Sequence, residues 1–133
     1  ADCIILSPGS LYTSLIAALL PVGIKQAIDK NIKAKIIYVA GSAYRLDGET
    51  GPEKVGEVVL QMERYLPRRI DLVIYNNHKL TKKQKEIYKT RNWGVFAYDK
   101  ENLKNIKIKS LDLEDKDGGL SAEKVAAILT KFI

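Results

Sequence analysis

An apolar run, Cys3-Ile4-Ile5-Leu6, is followed by Ser7-Pro8-Gly9-Ser10-Leu11-Tyr12-Thr13-Ser14. This segment places a glycine and a set of hydroxyls where a strand turns into a helix. Free backbone N–H groups and the positive end of the helix dipole favour an anion there. Small residues let a phosphate approach the main chain, and Ser10, Thr13 and Ser14 can donate further hydrogen bonds. The spacing is neither G-x-G-x-x-G nor a Walker loop, so a plain turn with Ser10 as N-cap stands beside phosphate binding as a reading. Residues 41–50 form a second segment, longer than the ~2–6 residues usual for such a connection. It carries Arg45, Asp47, Glu49 and Thr50. Asp47 and Glu49 suit acid–base work or the holding of a metal; the alternative leaves Glu49 in solvent and Thr50 capping a helix. A third segment, Asn76-Asn77-His78, can hydrogen-bond a base, a ribose or a sugar hydroxyl, or can simply close a strand, since Asn tolerates left-handed φ. A fourth is Asp99-Lys100. Lys79, Lys82, Lys83, Lys85, Lys89 and Arg91 make a basic stretch near Tyr88 and Trp93, either a nucleic-acid face or a solvated helix face.

Elements that would hold these segments follow from apolar spacing. Residues 3–6, 34–40 and 72–75 are continuous apolar runs and read as buried strands. Residues 94–98 read as a fourth strand. Residues 106–113 alternate apolar and polar, which suits a half-exposed fifth strand at an edge. Helices are expected over 11–20, over 22–31 after the break at Pro21, from Pro52 to Leu66, over 82–90 and from Ser121 onward. Thr50 with Glu53, and Thr81 with Gln84, have capping-box spacing. Val55, Val58, Val59, Met62 and Leu66 share one helix face, as do Val125, Ile128, Leu129 and Phe132. Continuous apolar strands alternating with amphipathic helices predict an α/β fold: three-layer, Rossmann-like, with a mostly parallel sheet of about five strands. In such sheets ligands bind beyond the carboxyl ends of the strands, which is where the four segments lie.

With 133 residues the chain has the length of one domain, residues 1–133, because domains run ~100–200 residues. A hydrophobic share of 46% argues against disorder. Cys3 is the only cysteine and His78 the only histidine, so an internal disulfide and a Cys/His zinc cluster are excluded. The longest near-apolar run, 15–24, is short of the ~20 residues needed to span a bilayer, and no signal-peptide pattern occurs. A cytoplasmic location without membrane association is expected. Lys plus Arg is 22 against 16 Asp plus Glu, a net charge of +6 that fits a lysine-rich surface or an anionic partner. The chain opens on Ala1, almost directly against the first strand, as a piece of a longer protein would.

Residues 2–14, with Ile4, Leu6, Pro8, Gly9, Ser10, Leu11, Tyr12, Thr13 and Ser14, resemble the "D-x-I-x-L-G-P-G-S-L-Y-T-S" segment of the CofD/YvcK-like family. Leu19-Leu20-Pro21-Val22-Gly23-Ile24 is similar to its "N-L-L-V-P-G-I", with proline and valine exchanged. Gly48-Glu49-Thr50 resembles its "G-E-T", and residues 71–77 resemble its "D-x-V-I-V-N". Ser7 departs from the family's first loop glycine, and residues 40–46 do not match the "N-L-M-T-Q-P" that usually precedes G-E-T. The family's N-terminal "G-G-G-T-G" loop has no counterpart here. The resemblance implies a Rossmann-like fold and the C-terminal half of such a protein.

That resemblance implies two branches. The YvcK branch, closer in its P-G-S-L-Y-T-S wording, binds UDP-sugars and supports gluconeogenic growth and cell shape. The CofD branch transfers a phospholactyl group from a guanosine diphosphate-linked donor. The leading expectation is the ligand-binding part of a YvcK-like regulatory protein. Ser7, Pro8, Gly9, Ser10, Thr13 and Ser14 would hold a nucleotide diphosphate, Asn76 and Asn77 would lie near the base or sugar, and Glu49 and Thr50 near the other end. No catalytic residue is assigned; Asp47 and Glu49 are the candidates if the chain is a CofD-like transferase, and the piece alone is expected to be inactive. No covalent cofactor and no metal-ligand set are assigned. A nucleoside diphosphate or UDP-sugar is the expected ligand, with Mg left open. Expected partners are the absent N-terminal half of the same protein and a second copy in a homodimer. A basic nucleic-acid-binding module is a further alternative, disfavoured because no such motif accompanies the lysines.

Overall fold

The computed structural model describes residues 1–132. Four strands build one parallel sheet in the order β1-β2-β4-β6: β1 Cys3–Leu6, β2 Lys35–Val39, β4 Leu72–Asn76 and β6 Lys107–Leu111. Ile36 and Tyr38 on β2 point to one face, Ile37 and Val39 to the other, and all four are buried. Burial on both faces is the reason that β1, β2 and β4 read as unbroken apolar runs. β6 lies at the sheet edge, as its alternation predicts.

Helices cover both faces, giving the expected three layers. A π-helical turn, Leu11–Ile16, runs on into α1, Ala17–Leu19; α2 spans Ile24–Lys30 and α3 Val55–Glu63. Leu11, Leu15, Ile16, Leu19, Ile28, Val55, Val58, Val59 and Met62 from these helices share one core with Ile36, Tyr38 and Val73 of the sheet. On the opposite face Val125, Ile128 and Leu129 of α5, Ala122–Leu129, and Phe132 beyond it pack against Ile37, Val39, Ile74 and Leu113. The remaining helix, α4, Lys82–Thr90, opens on the predicted capping box: Gln84 N donates to Thr81 Oγ1 at 3.3 Å and Thr81 N donates to Gln84 Oε1 at 2.9 Å. Ser121 caps α5 by accepting from Lys124 N.

Two expectations are corrected. The run at 94–98 does not join the parallel sheet. Trp93–Val95 is β5, which pairs antiparallel with β3, Ala43–Arg45, in a separate ribbon. Gly94 leaves room for the ring of the facing Tyr44, a match that a parallel sheet buried on both sides does not offer. The Thr50–Glu53 capping box does not form either. α3 starts after Lys54, and its Gly56 N–H donates to Asp99 Oδ1 at 2.6 Å from 43 residues away. A Cβ at Gly56 would lie 2.7 Å from Asp99 Oδ2, so only glycine admits the buried carboxylate so closely.

Candidate ligand-binding cleft

A cleft of about 460 Å³ opens at the carboxyl ends of β1 and β2, within the ~300–1,000 Å³ usual for small-molecule sites. One wall is Pro8, Gly9 and Ser10, where β1 turns into the first helix. Tyr38 and Val58 contribute from the core, Gly41, Ser42, Gly48, Glu49, Gly51 and Pro52 from the long loop, and Gly119 and Leu120 from the turn before α5. The β3–β5 ribbon supplies Tyr44, Arg45, Trp93 and Phe96. Burial pushes the Tyr38 phenol above its ordinary range.

At the helix start beside this wall the donors already hold an anion. Glu49 accepts from Tyr12 N through Oε1 at 3.2 Å and Oε2 at 3.3 Å. Its Oε2 also accepts from Thr13 N at 3.3 Å and from Thr13 Oγ1 at 3.4 Å. Ser10 makes no side-chain cap; the Glu49 carboxylate, 37 residues beyond Tyr12, does that work. Among the predicted site residues Pro8, Gly9, Ser10 and Glu49 line the cleft, and Thr13 joins them through Glu49. Ser7 and Ser14 are exposed nearby, and a Cβ at Gly9 would stand 3.2 Å from Ser14 Cβ.

Other predicted residues are engaged elsewhere. Asp47 grips Arg45 in a fork, Arg45 Nε to Oδ1 and Nη2 to Oδ2, each at 3.1 Å. That guanidinium holds the Asp47 carboxyl below the usual carboxylate range. Thr50 is exposed. Asp47 and Glu49 thus do not converge, and no group of three His, Cys, Asp or Glu side chains able to hold a metal ion occurs among the described residues. No step through a metal follows from this donor set. Asn76 is buried and committed to the fold: its Nδ2 donates to Glu114 Oε2 at 2.5 Å, and its Oδ1 accepts from Leu113 N at 3.0 Å and His78 N at 3.2 Å. Asn77 is exposed.

Sequence reasoning missed the polar cluster under the cleft. Glu114 is buried after β6 and accepts at Oε1 from Tyr88 Oη at 2.6 Å and from Gly119 N at 2.7 Å. Tyr88 also reaches Ser42 Oγ at 3.3 Å, linking the carboxylate to the cleft wall. Burial and the hydrogen bond to Glu114 push the Tyr88 phenol up to about 12. The signal was available: the carboxyl-end rule, carried on to the fifth predicted strand at 106–113, reaches Glu114. Beside this cluster both His78 nitrogens face acceptors, Nε2 with Gln84 Oε1 at 2.9 Å and Nδ1 with Asp112 Oδ2 at 3.0 Å. Thr81 N–H already donates to Gln84 Oε1, and Gln84 Nε2 donates to Asp115 O, so the amide orientation is fixed and the pair of acceptors calls for an imidazolium. These bonds raise the His78 pKa.

Comparison with known proteins is consistent with this architecture. The family model of 2-phospho-L-lactate transferase CofD matches residues 1–114. A protein of Thermotoga maritima named "Putative gluconeogenesis factor" is 41% identical over 105 residues, covering 79% of this chain and 33% of its own length. A protein of the same name from Clostridium acetobutylicum is 30% identical over 139 residues, covering 100% of this chain and 30% of its own. A crystal structure of a UPF0052 family protein from Bacillus halodurans superposes with a TM-score of 0.82 at 25% identity, over 98% of this chain and 43% of that one. The chain spans about a third of the length of these two curated relatives.

Proposed function

The chain belongs to the CofD family, and from that premise we propose that its cleft binds a nucleotide or nucleotide-sugar in a YvcK-like gluconeogenesis factor. One observation carries the reading: the amides of Tyr12 and Thr13 and the Thr13 hydroxyl converge on one carboxylate at the cleft. Donors arranged for a carboxylate suit a phosphate oxygen equally, and the helix dipole favours either. In this reading the ligand's phosphate takes the place of the Glu49 carboxylate. Gly9 and Ser10 flank it without bulk, and Arg45 is the cation on the cleft wall. The relatives' name supports a role in central carbon metabolism; binding and regulation come first, and no reacting group is assigned. Asp47 and Glu49 are both paired, so nothing in the geometry favours the transferase alternative.

The test is titration calorimetry of the full chain with UDP-N-acetylglucosamine and with GDP. Saturable binding of either, lost in Gly9→Val with the fold retained, is the expected result. Absence of binding to both would overturn the reading.

A further inference from the structure

The β3–β5 ribbon is unlike the rest of the cleft. Residues 8–10 with Gly48 and Gly51 offer backbone and small side chains beside the Glu49 carboxylate, whereas the ribbon offers rings. Tyr44 and Gly94 face each other across the two strands. A Cβ on Gly94 would lie 2.3 Å from Tyr44 Cζ and 2.6 Å from its Oη, so the phenol ring lies directly on the glycine backbone. Phe96 braces the ring from the side, with centroids 5.1 Å apart and planes tilted by 59°. Burial raises the Tyr44 pKa, and the Glu53 carboxylate at the tip of the phenol raises it further. Tyr44 is thus held by a glycine, a second ring and a polar tip, and still lines the cleft. Trp93, on the same ribbon, is also fixed: Tyr88 meets it edge-on at 5.4 Å and the Arg91 guanidinium lies 4.8 Å from its centroid.

Resting on the nucleotide reading above, we propose that Tyr44 is the stacking platform for the planar base of the ligand. Two properties support this assignment. The ring is immobilised before the ligand arrives, so little side-chain freedom is lost on binding. It also lines the same cavity as Gly9, Ser10 and Glu49, where the helix-start donors suit an anion, and a nucleotide is a planar ring joined to an anion. Glu114 is not available to read the base edge, because both its oxygens are occupied by Tyr88, Gly119 and Asn76. Recognition by a ring face tolerates different bases, so uracil and guanine nucleotides are both accepted, with the larger purine held at least as well.

Three variants test the platform by calorimetry on the full chain, with UDP, GDP and inorganic pyrophosphate as probes. Tyr44→Leu should weaken UDP and GDP by about tenfold or more, the usual loss for a removed base stack, and leave pyrophosphate unchanged. Tyr44→Phe keeps the ring and should bind as the parent does. Gly94→Ala drives a methyl into the phenol and should reproduce the base-specific loss, with a melting curve to show that the domain still folds. Adding Tyr44→Leu to Gly94→Ala should recover melting temperature without recovering affinity. Nucleotide binding unchanged in Tyr44→Leu overturns the platform and leaves the cleft reading standing. Equal losses for nucleotides and pyrophosphate overturn it as well, since a general distortion would do that. Absence of nucleotide binding by the unaltered chain overturns both.

Discussion

Glu49→Gln should lower stability and raise ligand affinity at once. The carboxylate now satisfies two orphan amides and one hydroxyl at the first helix, at 3.2–3.4 Å. Those contacts are at the long end of the hydrogen-bond range, so the charge–dipole interaction is the main loss. For a charge at a helix N-terminus near the surface that is about 0.3–1 kcal/mol. The variant should therefore melt about 1–5 °C lower. A phosphate that must displace the carboxylate faces a weaker competitor by the same free energy. UDP-N-acetylglucosamine should then bind about two- to five-fold more tightly, with 1.4 kcal/mol per decade. Calorimetry and thermal melting on one preparation read both signs. If affinity falls with stability, Glu49 touches the ligand and does not compete with it. If melting is unchanged, water already serves those amides and the carboxylate matters little.

Four further outcomes follow from other contacts. Glu114→Gln should cost about 1–3 kcal/mol in urea unfolding, because Asn76 Oδ1 is fixed by two backbone N–H groups and its Nδ2 would face an amide N–H₂ or lose an acceptor; a change within experimental error would dismiss the cluster as a structural element. Asp99→Ala should lose about 0.5–2 kcal/mol as the α3 cap disappears, and Asp99→Asn, which keeps an acceptor for the Gly56 amide, should lose less. His78 is held above its ordinary 6.5, so the stability from its pairing is complete below that pH and drains away as pH rises through the raised pKa. Asp112 is pulled down to about 2 by His78 and Lys124, so its contribution is complete above 3.8 and lost as pH falls through about 2. His78→Gln should remove the alkaline decline in urea midpoint, and persistence of that decline would assign it to another group.

Local patterns were legible where local physics decides. Thr81 and Gln84 cap α4 because both partners lie within one turn. β1, β2 and β4 announce burial on both faces through unbroken apolar runs. The helix face of Val55, Val58, Val59, Met62 and Leu66 is the one buried. Long-range partners were not legible. Glu49 suits acid–base work, a metal, the ligand or plain solvent by its sequence, because nothing near it in the chain shows that the Tyr12 and Thr13 amides come within reach. Residues 94–98 have the composition of a buried strand, but the partner of Trp93–Val95 is the distant β3, where Gly94 faces Tyr44. Asn76 looked free to bind a ligand because its partner, Glu114, lies 38 residues away.

The two distant carboxylate caps also bear on the order in which the chain assembles. α4 and α5 carry their caps within their own first turns, Thr81 and Ser121. Those end bonds are local and need no distant segment to be in place. The first helix must wait for residue 49 and α3 for residue 99, so each gains its cap only after a loop of 37 or 43 residues has closed. Closing those loops costs chain entropy before any contact offsets it. The two helices that flank the cleft, the first helix and α3, therefore hold their end bonds only as part of the tertiary structure, whereas α4 and α5 hold theirs locally.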